Sequence, residues 1–371
     1  MFTHFFGGLR HRLARLDYVQ MLFAAALLAI GLLTIYGTGQ QAGGQFADYW
    51  QRQLVWAGLG LVVFFVVSLT SYEWLGRHWW IFYVATLLLL LLLLPFGRTI
   101  NGARSWLPLF GVTLQPAEFA KPATVLLLAW LASRPSLSLT RLHHVLPPLL
   151  AVAPLVVLIG LQPDWGTALV FLTVTGTILF LAGIPWRWIL LLVLVAAITA
   201  PIAFNTVLTK KQRDRLITFV QPGNDISDTG WNAHQSLLAV GSGGLHGKGL
   251  MKGTQHVLGF LPRTVAPTDF IFSVIGEEMG FVGAAGVVLA YIGLIYRCLR
   301  ASARAPDDFG GYLAGGVAAF LFTHAYINIG MTIHAAPIIG IPLPLVSYGG
   351  SFLLSTLVCL GLVQAVYRER R

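Results

Sequence analysis

The stretch that decides the fold is LPRTVAPTDFIFSVIGEEMGFVG, at residues 261–283. A polar run ends at Pro267, the carboxylate of Asp269 follows, and the chain is then almost entirely apolar as far as Ile295. This apolar run has the length of a transmembrane helix and contains two acids, Glu277 and Glu278. Acidic residues near the water end of a membrane helix are costly, so they are candidate functional residues.

Asp269 is the best placed of these three acids. Thr268 precedes it, as at a helix N-cap, and the positive end of the helix dipole lies behind it. A purely structural alternative is that Asp269 only caps the helix, because Asp is common at helix N-termini. The sequence leaves both roles open.

The composition indicates an integral membrane protein. Hydrophobic residues make up 56% of the 371 residues and charged residues only 10%, whereas a soluble domain carries about 25% charged residues. The net charge of +10 does not indicate nucleic-acid binding, since no soluble basic module is present and much of the charge lies between spans. The two cysteines, Cys298 and Cys359, are expected to be free thiols near cytoplasmic helix ends.

Apolar runs of about 20 residues predict an all-α, polytopic membrane protein with ten transmembrane helices. The predicted spans are residues 17–37, 53–70, 78–96, 117–133, 145–162, 166–183, 186–205, 270–297, 311–333 and 344–367. We expect one membrane domain over residues 1–371. The first run is interpreted as a retained span, because it is longer than a signal-peptide core and no clear cleavage site follows it.

Arginines predict the orientation of these spans. An even number of spans puts both termini on one side, and most arginines outside the long loop fall on that side, which is therefore cytoplasmic. Residues 206–268 then form a long extracytoplasmic loop between helices 7 and 8. Within it, WNAHQSLLAV predicts a short amphipathic helix that ends at Gly241. The following glycines either leave backbone N–H groups free to hold an anion or form a plain flexible loop.

Other segments also place polar residues at or near membrane depth. Glu118 and Lys121 share a helix face and are predicted to pair, either as a structural ion pair or as part of a site. Asp164, in QPDWGTA, either caps a helix or lines a polar cavity. Asn328 is expected to form interhelical hydrogen bonds. Broken backbone at residues 340–352, GIPLPLVSYGGSF, must be covered by protein or line a wet cavity.

These predictions converge on the extracytoplasmic side of the membrane. The residues placed there, at outer span ends or in outer loops, include Arg104, Glu118, Asp164, Lys248, Asp269 and Ser347. Acids, bases and a flexible loop therefore meet next to lipid. That arrangement suits a site that acts on a lipid-linked, anionic substrate. His324 and His334 are interpreted as packed or interfacial side chains rather than metal ligands.

The chain resembles the SEDS family (shape, elongation, division and sporulation), and its rod-shape branch more than its division branch. The motifs that carry the resemblance span residues 101–351 and include NGARSW, QPAEFAK, QPDWGTA, WNAHQSLLAVGSGGLHGKGL, TDFIFSVIGEEMGFVG, NIGM and GIPLPLVSYGGS. Two departures are Pro267, where relatives often carry His, and HAAPII before GIPLP, where a glycine-rich segment is commoner. Neither departure removes a motif acid.

The resemblance implies a peptidoglycan glycosyltransferase of cell elongation, at the outer face of the bacterial cytoplasmic membrane. Such proteins polymerise lipid II, a disaccharide-pentapeptide linked to undecaprenyl pyrophosphate. They work with a class B penicillin-binding protein and other elongation-complex proteins. By resemblance, Asp269 corresponds to the essential aspartate of the family, and Glu118, Lys121 and Asp164 correspond to residues around the same cavity.

The expected chemistry assigns roles to these residues. Asp269 is the candidate general base for the attacking hydroxyl. The charge on the departing pyrophosphate requires cations or N–H donors, for which Arg104, Lys121 and Lys248 are candidates. A divalent cation, Mg²⁺ or Mn²⁺, is a further expectation, and no organic cofactor is expected. A lipid II flippase is the main alternative, but clustering of the acids at the outer span ends favours an enzyme. A scaffold that activates the penicillin-binding protein is a third interpretation.

Overall fold

The computed structural model describes residues 12–100, 103–109, 112–135, 142–206, 208–221, 228–255 and 257–370. The helices are α1 (Tyr18–Ala42), α2 (Tyr49–Leu69), α3 (Tyr72–Arg77), α4 (Trp79–Phe96), α5 (Pro116–Ala132), α6 (Leu142–Gly160), α7 (Trp165–Leu181), α8 (Trp186–Thr206), α9 (Lys210–Val220), α10 (Asp228–Ser242), α11 (Ile271–Ala303), α12 (Asp308–Thr332) and α13 (Gly350–Arg368). The strands are β1 (Arg98–Ile100), β2 (Ala103–Leu109) and β3 (Val112–Leu114).

The protein is a mostly helical, polytopic membrane protein. A helix lies at the position of each predicted span, and eight helices in the described residues are long and apolar enough to cross a membrane. Two helices at predicted spans, α5 and α7, have only 17 residues each. A membrane helix needs about 20 residues, so the count of ten spans stays a prediction.

The prediction of an all-α fold is wrong at one place. Strands β1, β2 and β3 form an antiparallel sheet in that order, with Leu107 paired to Leu114. The side chains of β2 alternate, because Ser105 and Leu107 are buried while Arg104 and Pro108 are exposed. Burial with a period of two is the geometry of a strand that is covered on one face. The sheet connects α4 to α5 and brings the chain back to the bundle.

The core lies around α12 and α13, the two long helices that are buried over most of their length. Helix α5 is buried on nearly every face and packs between α4, α12 and α13. Close packing of α13 on α2 depends on small residues, since a Cβ atom at Gly361 would lie 3.0 Å from the Phe64 carbonyl oxygen. Helix α8, in contrast, has no buried residues in its apolar window and lies at the periphery.

One end of the bundle is tied together by a buried ion pair. Asp17 is the N-cap of α1, where its carboxylate accepts hydrogen bonds from the backbone N–H groups of Val19 and Gln20. The same carboxylate lies 2.6 Å from the Arg297 guanidinium of α11. Arg297 also donates to the Tyr367 hydroxyl of α13, at 3.0 Å. The start of α1 and the end of α13 therefore lie at the same end of the molecule.

Helix α11 is broken, so the prediction of one continuous helix over residues 270–297 is wrong at this point. Gly280 has φ 66° and ψ −165°, which takes it out of the helical region. At this break the backbone N–H groups of Lys248 and Gly249 donate to the carbonyls of Glu277 and Glu278, both at 3.0 Å. The glycine-rich segment after α10 thus docks on the break, and these two amides are used within the protein.

The long segment between α8 and α11 contains two helices. Helix α10 confirms the predicted amphipathic helix and ends one residue beyond Gly241. Helix α9 precedes it and has a capping box, in which Thr209 and Gln212 bond to each other's backbone. Both cysteines are free, as predicted, and both are buried.

Candidate active site

Asp269 lies just before α11 and does not cap it. Helix α11 begins at Ile271, and its N-cap is Phe270, which makes no side-chain cap bond. The purely structural interpretation of Asp269 is therefore wrong. The carboxylate is half-buried, and a Cβ atom on Gly340 would lie 3.3 Å from its Oδ2 atom. Gly340 has φ +80°, so both space and backbone favour glycine beside the acid.

The electrostatic surroundings of Asp269 hold its proton more tightly than usual. Burial raises the pKa of the carboxyl from 3.8 to about 6. The guanidinium of Arg215 lowers this pKa, and the negative charge of Asp164 raises it. Desolvation outweighs the attraction of Arg215. A carboxyl with a pKa close to the working pH is suited to proton transfer.

Two side chains fix the backbone around Asp269. Asn328 of α12 donates from Nδ2 to the carbonyls of Asp269, at 2.9 Å, and Ile341, at 2.7 Å. The predicted hydrogen bonding of Asn328 is thus wrong in its partners, because the amide joins α12 to two non-helical segments rather than to another helix. Ser347 is buried, donates to the Thr268 carbonyl and accepts from the Leu343 N–H at 2.8 Å. The broken segment before α13 and the turn before α11 are therefore held to each other.

Asp164 is a helix cap and also lies within the electrostatic range of Asp269. It is the N-cap of α7, and its Oδ1 accepts from the Thr167 N–H at 3.1 Å. Its Oδ2 accepts from Gln115 Nε2 at 3.0 Å. The capping interpretation of Asp164 is confirmed, and one carboxylate oxygen points to a side chain at the entrance of α5.

Glu118 and Lys121 form the predicted pair, deeply buried. Lys121 Nζ lies 2.8 Å from both carboxylate oxygens of Glu118, and each residue is 2% exposed. The same Nζ lies 3.2 Å from Nε2 of His324, whose Nδ1 lies 3.0 Å from the Pro342 carbonyl. Because a carbonyl only accepts, Nδ1 carries the proton and Nε2 accepts from Lys121. In this arrangement the three donors of the ammonium are all used.

Lys248 is engaged in a second ion pair. Its Nζ lies 2.6 Å from Glu277 Oε1, which is fully buried and also accepts from the Thr254 N–H at 2.7 Å and the Gln255 N–H at 3.2 Å. Glu277 therefore fastens residues 248–255 to the break in α11. The ion pair and hydrogen bonds that the Glu277 carboxylate receives offset the free-energy cost of burying its charge.

Arg104 lies in the sheet, apart from the acids. Its side chain is exposed, and its guanidinium donates to the carbonyls of Gly97, at 2.9 Å, and Pro95, at 3.0 Å. The structure thus places Asp269 and Asp164 near each other, with Ser347 behind them. It pairs Glu118 with Lys121 within the electrostatic range of Asp164, whereas Lys248 with Glu277 and Arg104 on β2 form two separate arrangements.

The described residues offer no dedicated metal centre. Among them there is no group of three or more His, Cys, Asp or Glu side chains that could hold a metal ion. Asp164 and Asp269 are two carboxylates that affect each other, and Mg²⁺ is often bound through one or two carboxylates with several waters.

Three residues of the site were not predicted from the sequence. Arg215 was one of several basic residues in the long loop, and no signal separated it from Lys210 or Arg213. Gln115 precedes α5 and offered only a polar side chain. His324 was interpreted as packed, and it is buried, but it also accepts from Lys121. Its position four residues before Asn328, on the same face of α12, was a signal that could have connected the two.

A family model for cell cycle proteins, named after FtsW, RodA and SpoVE, matches residues 18–371. The chain is 36% identical over 366 residues to the peptidoglycan glycosyltransferase MrdB of Escherichia coli K12, which covers 96% of this chain and 94% of that protein. It is 30% identical to the peptidoglycan glycosyltransferase RodA of Treponema pallidum, with 94% of this chain and 97% of that protein covered.

Solved structures show the same fold. A chain from the structure of a peptidoglycan synthase complex that coordinates polymerization and crosslinking is 33% identical, with a TM-score of 0.81 over 96% of this chain and 98% of that chain. The rod shape determining protein RodA of Thermus thermophilus is 32% identical, with a TM-score of 0.71 over 96% of this chain and 97% of that chain. The chain therefore belongs to the FtsW, RodA and SpoVE family of cell cycle proteins.

Proposed function

We propose that the protein is a peptidoglycan glycosyltransferase that polymerises lipid II into glycan strands during cell elongation. Relatives that align over nearly the whole chain are named for this enzymatic activity. The observation in this chain that carries the proposal is the half-buried carboxylate of Asp269, whose pKa is raised to about 6 by burial. A carboxylate with that pKa is mostly ionised at neutral pH and is a stronger base than an exposed aspartate.

In the proposed reaction, Asp269 removes the proton from the 4-hydroxyl of one saccharide. The hydroxyl oxygen forms a bond to the anomeric carbon of a second saccharide, while the bond from that carbon to the pyrophosphate oxygen breaks. The electron pair leaves with the pyrophosphate, and the proton stays on Asp269. A single displacement inverts the anomeric centre, so an α-linked donor gives a β-linked glycan. The base contributes about 10²–10⁴-fold to such a step.

The remaining predicted substrate-binding residues support this centre in different ways. Asp164 tunes the charge at Asp269 and orients Gln115. Ser347 uses its hydroxyl to hold the backbone of Thr268, next to the base. Lys121 and Lys248 are neutralised by Glu118 and Glu277, so a substrate phosphate would have to displace an existing partner of either lysine.

The proposed site faces the outside of the cytoplasmic membrane, and both termini are proposed to be cytoplasmic. The joining of α1 and α13 at one end of the bundle, through Asp17, Arg297 and Tyr367, supports a common side for the termini. A class B penicillin-binding protein is the proposed partner, since a similar chain was solved in a complex that couples polymerization to crosslinking. A divalent cation, Mg²⁺ or Mn²⁺, stays a proposal on which no step depends.

Purified full-length protein with labelled lipid II, with and without a class B penicillin-binding protein, tests the proposal. We expect a glycan ladder on a gel that is absent with Asp269→Asn. If the wild-type protein makes no polymer either with or without the penicillin-binding protein, the proposal that it is a glycosyltransferase is contradicted. The flippase alternative predicts that labelled lipid II crosses a liposome membrane while no polymer forms, and the same preparation can be used for that measurement.

A further inference from the structure

The departing pyrophosphate needs a partner with positive charge. The basic side chains on the proposed outer side of the membrane differ in how many of their donors are already bound to other groups of the protein. Arg104 donates to two backbone carbonyls on the sheet. Lys121 is paired with Glu118, and Lys248 is paired with Glu277. None of these three predicted cations is aimed at Asp269 in the described structure. Their positive charges are directed elsewhere.

Arg215 of α9 is in a different situation. Its Nη1 donates to the Ile339 carbonyl at 3.3 Å, but its buried Nε has no hydrogen-bond partner among the described residues. Among the ion pairs of the described residues, none includes Arg215 within 4.0 Å. A buried guanidinium N–H without a partner is costly, so such a group commonly serves a ligand or a bound water.

The guanidinium and the carboxylate of Asp269 meet at Gly340. A Cβ atom on Gly340 would lie 3.3 Å from Asp269 Oδ2 and 3.8 Å from Arg215 Nη1. Glycine leaves that space free, so a gap remains between the proposed base and the cation. Gln212, one turn before Arg215 on α9, donates to the Pro163 carbonyl at 3.0 Å and holds the helix beside Asp164. Helix α9 is thereby fixed over both acids.

We propose that Arg215 binds the pyrophosphate of the lipid-linked donor sugar beside Asp269 and stabilises it as it leaves. The inference rests on the proposed function and adds the residue that receives the charge of the leaving group. A guanidinium presents its N–H donors as a planar fork that matches phosphate oxygens, which a lysine cannot do. As the bond from the anomeric carbon breaks, the electron pair moves to a phosphate oxygen that faces this fork.

Binding of farnesyl pyrophosphate to the purified full chain in detergent tests this inference without catalysis. Arg215→Gln removes the charge but keeps an N–H donor for the Ile339 carbonyl. We expect its dissociation constant to rise at least about tenfold, as for loss of a charge-assisted contact. Lys210→Gln is the matched control, because Lys210 is exposed at the start of the same helix. It should bind like wild type.

Arg215→Met is a second charge-free variant, for use if Arg215→Gln does not yield monodisperse protein. If a charge-free variant binds farnesyl pyrophosphate with wild-type affinity, the inference is overturned. It is also overturned if the wild-type protein does not bind farnesyl pyrophosphate. Lipid II polymerisation separates this outcome from the proposed function. Absence of polymer from wild type contradicts the proposed function, whereas undiminished polymer from a folded, charge-free variant contradicts only the role of Arg215.

The pH dependence of residual polymerisation adds a readout that a purely structural role would leave unchanged. Arg215 and Asp164 are the charged groups that act on Asp269, and they act in opposite directions. Without Arg215 the pKa of Asp269 rises, so the acid limb of the rate profile should move to higher pH. An acid limb at the wild-type position in the Arg215→Gln variant would count against the proposed closeness of the two groups.

Discussion

Replacement of Asp269 by Asn separates chemistry from stability at one position. The amide keeps the size of the side chain but cannot accept a proton at neutral pH. Since a general base contributes about 10²–10⁴-fold, polymerisation should fall by at least about two orders of magnitude, or about 3 kcal/mol of activation free energy. Asp269→Ala should be equally inactive.

The same substitution should not lower stability. The pKa of Asp269 is raised in the folded protein, so the folded state binds this proton more tightly than the unfolded state. The stabilising contribution of the group is complete below about pH 4 and is lost as pH rises through about 6. At neutral pH the ionised carboxylate therefore costs stability, at most about 3 kcal/mol for a shift of about two pH units. Because Asp269 does not cap α11, neither Asn nor Ala removes a cap.

The assay compares initial rates of lipid II polymerisation with the apparent melting temperature of the same preparations in detergent. We expect both Asp269 variants to be inactive and to melt at or above the wild-type temperature. Asp308→Asn is the matched control, since Asp308 is exposed at the start of α12 and away from the site. Near-normal polymer from the folded Asn variant would refute the role of Asp269 as base, and a marked loss of stability would refute the electrostatic account.

Two further substitutions test the packing around the site. Lys121→Met should destabilise the protein by about 3–5 kcal/mol, because it leaves Glu118 buried without its partner; the double variant with Glu118→Gln should recover the melting temperature and most polymerisation. A folded double variant without activity would instead favour substrate binding by Lys121. Gly280→Ala should lower the melting temperature, since a Cβ atom there meets the Gly247 backbone and φ is 66°. Gly286→Ala, in open space on the same helix, should leave the melting temperature unchanged or raise it. Equal melting temperatures of the Gly280→Ala and Gly286→Ala variants would contradict the docking of the glycine-rich segment on the break in α11.

Much of the helical architecture is predictable because membrane helices have a strong local signal. A run of about 20 apolar residues is sufficient to place a helix, and the long apolar helices of the described residues occur where such runs lie. The sheet at β1 to β3 was missed because its strands have three to seven residues and lie between motifs that were interpreted by their charges. The burial of Ser105 and Leu107 was also hidden, because the sequence of β2 does not alternate apolar with polar residues.

The candidate site was predictable in its acids but not in its cations. Asp269 and Asp164 stand out, because acids beside apolar runs are rare and costly. Basic residues in a long loop are common, so charge alone did not distinguish Arg215 from its neighbours. Its role depends on how α9 folds back over Asp164 and Gly340, and such long-range packing leaves no local pattern. The pairing of Lys248 with Glu277 was hidden for the same reason.

The pH dependence of wild-type polymerisation tests the central claim most directly. If Asp269 is the base and its pKa in the free protein is about 6, kcat/KM, measured at lipid II concentrations well below saturation, should fall about tenfold between pH 7 and pH 5. The melting temperature measured over the same range must not fall with the rate. A base with the ordinary pKa of 3.8 would lose less than about a tenth of its activity by pH 5. A rate that stays constant down to pH 5 would contradict the account.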